Sequence, residues 1–150
     1  MAAGDQAQEL KHHYRSLEPD DPAADRFKHS TPIFRVEAMR ISVDYYVKQL
    51  GFQLAWDWGD PPTFACVKRG DVFLFLCEGN QGARGTWLFI DVDDVDCLYD
   101  EYKISGAKII QPPTNFPWGR REMNVEDPDG HRLRLASAST GEPAGVTLAT

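Results

Sequence analysis

Two stretches of the chain repeat one order of apolar and polar positions. The first, PIFRV, is a short β-rich run leading into a helical spacing that puts Met39, Val43, Tyr46, Val47 and Leu50 on one face, with Gly51 at its close. The second, LFIDV, leads in the same way into Val95, Leu98, Tyr99 and Tyr102, with Gly106 at its close. The two segments superpose without gaps from Val36 on Val92 to Tyr46 on Tyr102. After each helix the pattern predicts an apolar strand (residues 52–56 and 108–111), a Pro-containing loop, and a pair of strands about a tight turn. Those pairs are TFACVKRGDVFLFLC and REMNVEDPDGHRLRLAS. Their turns, Arg69-Gly70-Asp71 and Asp127-Pro128-Asp129-Gly130, both place Gly where a positive φ is easiest.

Each half therefore reads βαβββ. A single unit of that kind has an apolar sheet face and one helix with too little to bury, so two copies packed together are the physically reasonable arrangement. The predicted fold class is α+β, with two βαβββ modules forming curved sheets around a cavity that both halves line from corresponding places. The predicted folded unit spans residues 31–137. Residues 1–30 are polar and broken by EPDDPAAD, which predicts a tail with at most a short helix over 8–17. Residues 138–150 are mostly small and polar and predict a flexible tail.

A chain of 150 residues suits one domain with a real core. No apolar run approaches the ~20 residues a membrane span needs, and the first residues carry no apolar signal region, so a soluble cytoplasmic protein without membrane partners is expected. The net charge of -7 argues against nucleic acid, whose phosphates require a basic face. It would instead steer a cationic small molecule, although the same acidity also serves solubility. The three cysteines, Cys66, Cys77 and Cys97, have no CxxC spacing and sit in apolar patterns, which reads as buried free thiols. His12, His13 and His29 lie in or beside the polar tail and His131 follows the DPDG turn, so surface or turn roles are expected for all four.

The segments FRVEAMRISVDYYVKQLGF, VKRGDVFLFL, FIDVDDVDCLYDEYKISGAKI and PWGRREMNVEDPDGHRLRL, in that order, resemble the vicinal oxygen chelate superfamily. That superfamily includes glyoxalase I, extradiol dioxygenases and bleomycin resistance proteins. The resemblance covers residues 33–137 and implies paired βαβββ modules and a homodimer whose sites are shared between subunits. Enzymes of the family hold a divalent metal with His, Gln or Glu from the first and last strands of each module, because a Lewis-acid metal needs their lone pairs. Carried onto this chain, those positions fall at Thr31, Trp87, Phe75 (or its neighbour Leu74) and Arg134. Aromatic rings, a permanent cation and a lone hydroxyl do not hold a metal in the usual way. The carry-over thus implies no metal, no cofactor and no catalytic residue. Among members without metal the resemblance is to the bleomycin resistance proteins, through RGDV, Trp87, Trp118-Gly119 and the DPDG turn followed by LRL. Those proteins bind a glycopeptide antibiotic unaltered, in grooves at the dimer interface.

Trp56, Trp58, Phe75, Trp87, Phe89 and Trp118 are candidates to ring such a groove, since aromatic faces stack on flat conjugated rings; the alternative for each is plain core. The run DVDDVD, residues 91–96, makes one end of the second module negative and offers Asp91 to a cationic ligand group, while Asp93 or Asp94 alternatively caps the following helix. Arg134 either anchors an anionic or carbonyl group of the ligand or pairs with an acid such as Asp91. The expected function is non-catalytic small-molecule binding of the bleomycin resistance type, sequestering a flat cationic antibiotic or metabolite, with bleomycin as a named candidate. The alternatives are a metal-dependent glyoxalase-like lyase or isomerase or a dioxygenase-type enzyme, which would need a metal and a nearby carboxylate base, and a partner-binding scaffold.

Overall fold

The computed structural model describes residues 26–143. The helix expected over 8–17, His12, His13 and residues 144–150 lie outside the described residues. The elements are β1 (Ile33–Arg35), α1 (Met39–Lys48), β2 (Gln53–Gly59), β3 (Pro62–Arg69) and β4 (Val72–Cys77), followed by β5 (Trp87–Asp91), α2 (Val95–Ser105), β6 (Lys108–Asn115), β7 (Arg120–Glu126) and β8 (Arg132–Ala138). They form two four-stranded sheets of identical order, β1-β4-β3-β2 and β5-β8-β7-β6. In each sheet the first strand runs parallel to the last and the remaining pairs are antiparallel. The duplicated βαβββ architecture read from the sequence is the one observed.

Strand alternation gives each sheet two chemically different faces. Phe34, Ala65, Val67, Leu74 and Leu76 of the first sheet and Ile90, Met123, Val125, Leu133 and Leu135 of the second are buried in one cluster with Met39, Tyr46, Leu50, Val95 and Tyr102. Both helices and the helix-facing sides of both sheets therefore share a single core. Val47, expected on the buried helix face, is 37% exposed.

The helix starts are held by neighbouring strands. The Met39 amide donates to Glu78 Oε2 at 2.8 Å, and the Val95 amide donates to Ser137 Oγ at 3.2 Å. Asp94 caps α2, accepting from the amides of Asp96 and Cys97. Gly106, in the left-handed region at φ 80°, closes it.

Two local expectations are corrected. Pro112 and Pro113 belong to β6 and not to a loop. This is permitted because β6 is an edge strand, and its pairing skips from Gln111 opposite Asn124 to Thr114 opposite Glu122. Cys66 and Cys77 are buried as expected, but Cys97 is exposed in the first turn of α2.

His131 is also not at the surface. It is fully buried, stacked on Phe34 with ring centroids 4.3 Å apart. Its Nδ1 accepts from the Thr86 amide at 3.0 Å, which leaves Nε2 as the donor to the Arg35 carbonyl at 2.6 Å. The whole DPDG turn is a polar lock between the modules. Asp127 accepts from the amides of Asp129 and His131 and from the Tyr46 hydroxyl, all at 2.9 Å. Asp129 accepts from the Glu37 amide and the Ser42 hydroxyl. Burial pushes the Asp127 carboxyl above its ordinary range, although the bonds it accepts pull the other way.

The repeat makes this contact reciprocal. Tyr46 reaches into the second module, and its counterpart Tyr102 donates to the Leu50 carbonyl of the first at 2.9 Å. Burial pushes the Tyr46 phenol well above its usual range and the Tyr102 phenol up to about 12.

Candidate functional site: two aromatic sheet faces

The faces turned away from the helices carry the candidate residues. On the first sheet, Trp56 lies opposite Cys66, Trp58 opposite Phe64, and Cys66 opposite Phe75, so these side chains share one face. Trp56 stacks on Phe64 with centroids 5.9 Å apart and an interplanar angle of 15°, and Phe75 tilts against both at 5.4 and 5.3 Å. Trp56 is 45% exposed and Trp58 71% exposed. Beside them the segment from Cys77 to Gln81 borders an open recess of about 610 Å³ also lined by Trp56, Trp58 and Phe64. The face is rich in aromatic rings, the residue type that stacks on planar groups.

The corresponding face of the second sheet is of opposite character. Phe89 lies opposite Arg134, which lies opposite Asn124, and Trp87 lies opposite Arg132. The Arg132 guanidinium sits 5.0 Å from the Trp87 ring centroid, and that of Arg134 sits 5.4 Å from Phe89 and 5.7 Å from Trp118. These are cation–π distances. Trp118 itself stacks on Phe116 at 4.7 Å and 7° in the turn before β7. Trp87, Phe89 and Trp118 remain 55%, 48% and 43% exposed. The candidates therefore fall into two groups, Trp56, Trp58 and Phe75 on one face and Trp87, Phe89, Asp91, Trp118 and Arg134 on the other. The aromatic pairs stay within one group or the other.

Arg134 does pair with an acid, but the acid is Glu122 and not Asp91. Its Nε and Nη2 donate to the two Glu122 oxygens at 3.1 and 2.9 Å, a fork-to-fork geometry, and Glu122 is only 3% exposed. Asp91 instead pairs with Arg120. Two further acids of the run are engaged elsewhere, Asp94 capping α2 and Asp96 accepting from Arg121 at 2.7 and 2.9 Å, while Asp93 is exposed. The reason for expecting a cationic ligand group thus loses its principal acids.

Glu122 was not visible as a site residue in the sequence. The signal that could have found it is the register of β7 and β8, which puts position 122 on the Arg134 face. Asn124 on the same face donates to Gln111, while its Oδ1 is buried with no partner, the one such side-chain atom among the described residues.

The metal positions of the resembled enzymes have structural counterparts, because Phe75 opposite Ile33 matches Arg134 opposite Phe89. Phe75, Trp87 and Arg134 do not fit a divalent metal, and Arg134 is already committed to a buried carboxylate. Among the described residues no group of three or more His, Cys, Asp or Glu is arranged to hold one. Neither Cys66 nor Cys97 is activated. Burial pushes Cys66 up, and the bond from Cys97 Sγ to Asp94 pushes Cys97 up.

A family model for the Glyoxalase/Bleomycin resistance protein/Dioxygenase superfamily matches residues 26–135. The chain belongs to that superfamily. No curated protein matches it. Among solved structures of the superfamily fold, TnmS3, an antibiotic binding protein from Streptomyces sp. CB03234, is 28% identical with a TM-score of 0.61, over 76% of this chain and 98% of its own. The bleomycin-binding protein from bleomycin-producing Streptomyces verticillus, in complex with copper(II)-bleomycin, is 26% identical with a TM-score of 0.62, over 76% and 98%. TioX from Micromonospora sp. ML1 is 22% identical with a TM-score of 0.63, over 74% and 100%, and shows the shared fold alone. Among the described residues no helix is long and apolar enough to cross a membrane.

Proposed function

We propose that this superfamily member binds a flat, ring-bearing antibiotic or metabolite without altering it, and acts by sequestration. The observation that carries the reading is the set of exposed aromatic rings, Trp56, Trp58, Trp87, Phe89 and Trp118, gathered on two sheet faces whose metal-ligand positions hold Phe75, Trp87 and Arg134. Rings that would cost little entropy to immobilise are available for stacking, and the carboxylate that faces Arg134, Glu122, is held in its ion pair. The names of TnmS3 and the Streptomyces verticillus protein are consistent with such a role.

The functional unit is a homodimer in this proposal. Exposed aromatic rings on two faces suit an interface, and a second copy that covers one face with the other turns two open faces into grooves. The test is to incubate the chelator-treated protein with bleomycin, measure binding by calorimetry, and recover the ligand for mass spectrometry. Saturable binding with bleomycin recovered intact supports sequestration. Conversion of the ligand, or turnover of a glyoxalase-type substrate once a divalent metal is supplied, would establish the enzyme reading instead.

A further inference from the structure

The second sheet's outer face carries one more cation than acid among the described residues. It presents Arg120, Arg132, Arg134 and Lys108 against Asp91, Glu122 and Glu126. Arg120 is paired with Asp91, Arg134 with Glu122 at 2.9 Å, and Lys108 with Glu126 at 3.5 Å. Glu126 is the residue opposite Arg132 in the strand pairing, so its engagement with Lys108 leaves Arg132 with no carboxylate within 4.0 Å among the described residues. Arg132 lies over Trp87, which is 55% exposed, two residues from the half-exposed Arg134 on the same face of β8.

We propose that this face recognises a carboxylate or similar compact oxyanion attached to the ligand's ring, with Arg132 as the residue that selects it. The inference rests on the sequestration reading above and deepens it. A ring stacked on Trp87 or Phe89 brings a substituent at its edge to the Arg132 guanidinium, whose planar donors match an oxyanion's two oxygens. Arg134, held by Glu122, adds shape and a stacking surface, but its charge is already met. The chain's net charge of -7 opposes an anion at long range. Beyond about 8 Å, however, physiological salt screens that field, and the contact charge decides.

The test is calorimetric titration near neutral pH of three probes that share one ring system: 2-naphthoate, 2-naphthamide and 2-naphthylmethylammonium. Each is titrated into the full chain, into Arg132→Gln and into Glu122→Gln. The naphthoate is expected to bind about tenfold more tightly than the amide, the effect of one charge-assisted bond. Arg132→Gln erases that preference. Glu122→Gln, which leaves the Arg134 charge unmet, raises naphthoate affinity several-fold while the ammonium probe weakens. If the amide or the ammonium binds as well as the naphthoate and Arg132→Gln changes nothing, the anion site is overturned while ring binding stands. If none of the three saturates, the ring-binding reading fails and the anion site with it.

Discussion

At the scale of single residues, exposure separates the proposed binding groups from core. Trp87 and Trp118 make no contribution to the buried cluster, so Trp87→Ala and Trp118→Ala are expected to weaken ligand binding while shifting unfolding free energy by about 1 kcal/mol or less. Chemical denaturation of both variants checks this, and severe unfolding in both would return them to the core. Arg134 behaves differently because it neutralises a carboxylate that is 3% exposed. Arg134→Leu strands Glu122 and should cost about 3 kcal/mol, whereas Glu122→Leu combined with Arg134→Leu should recover most of that loss. A double-mutant cycle in which the two single losses simply add would show that the pair is not coupled. The identity of this pair explains a limit of the sequence reading. Arg134 was recognisable as a cation in a strand, but Asp91 and Glu122 could be told apart only by knowing which strand lies beside β8 and in what register.

At the scale of elements, the DPDG turn and the two tyrosines set the junction between modules. Asp127→Ala removes the acceptor for the Tyr46 hydroxyl and two buried amides, and an unfolding loss of about 2–4 kcal/mol is expected from equilibrium denaturation. The junction also predicts an alkaline limit. An unfolded tyrosine loses its proton near pH 10, whereas folded Tyr102 holds it to about 12 and Tyr46 holds it still more firmly. Their contribution is therefore fully present below pH 10 and is lost as pH rises towards and through about 12. The urea midpoint should fall between about pH 8 and about pH 11, with two phenols lagging the rest in near-ultraviolet titration. An unchanged midpoint, or all phenols ionising together, would contradict the buried junction. These elements were partly legible in advance. The βαβββ order, the glycine closing α2 and the Asp94 cap follow from periodicity and local chemistry. The burial of His131 and the strand character of Pro112 and Pro113 do not, because a polar turn and a proline pair look the same whether or not another module covers them or an edge strand admits them.

At the scale of the whole molecule, the repeat produces one core and two outward faces of unlike chemistry, one apolar and aromatic, the other aromatic and charged. A homodimer is the arrangement proposed to cover them, and sedimentation equilibrium should give twice the 16.9 kDa of one chain, with a strictly monomeric protein at micromolar concentration counting against it. The sequence reading expects one groove ringed by both modules, whereas the candidates divide between two separate faces because each sheet turns its other side to the shared core. The most direct test of the central claim is a tryptophan-fluorescence titration of the chelator-treated protein with two ring-bearing ligands, bleomycin and anthraquinone-2-carboxylate. Saturable quenching by at least one of them, unchanged when chelator remains in the buffer, is the predicted result. The contradicting result is that neither saturates, or that binding appears only after a divalent metal is added back.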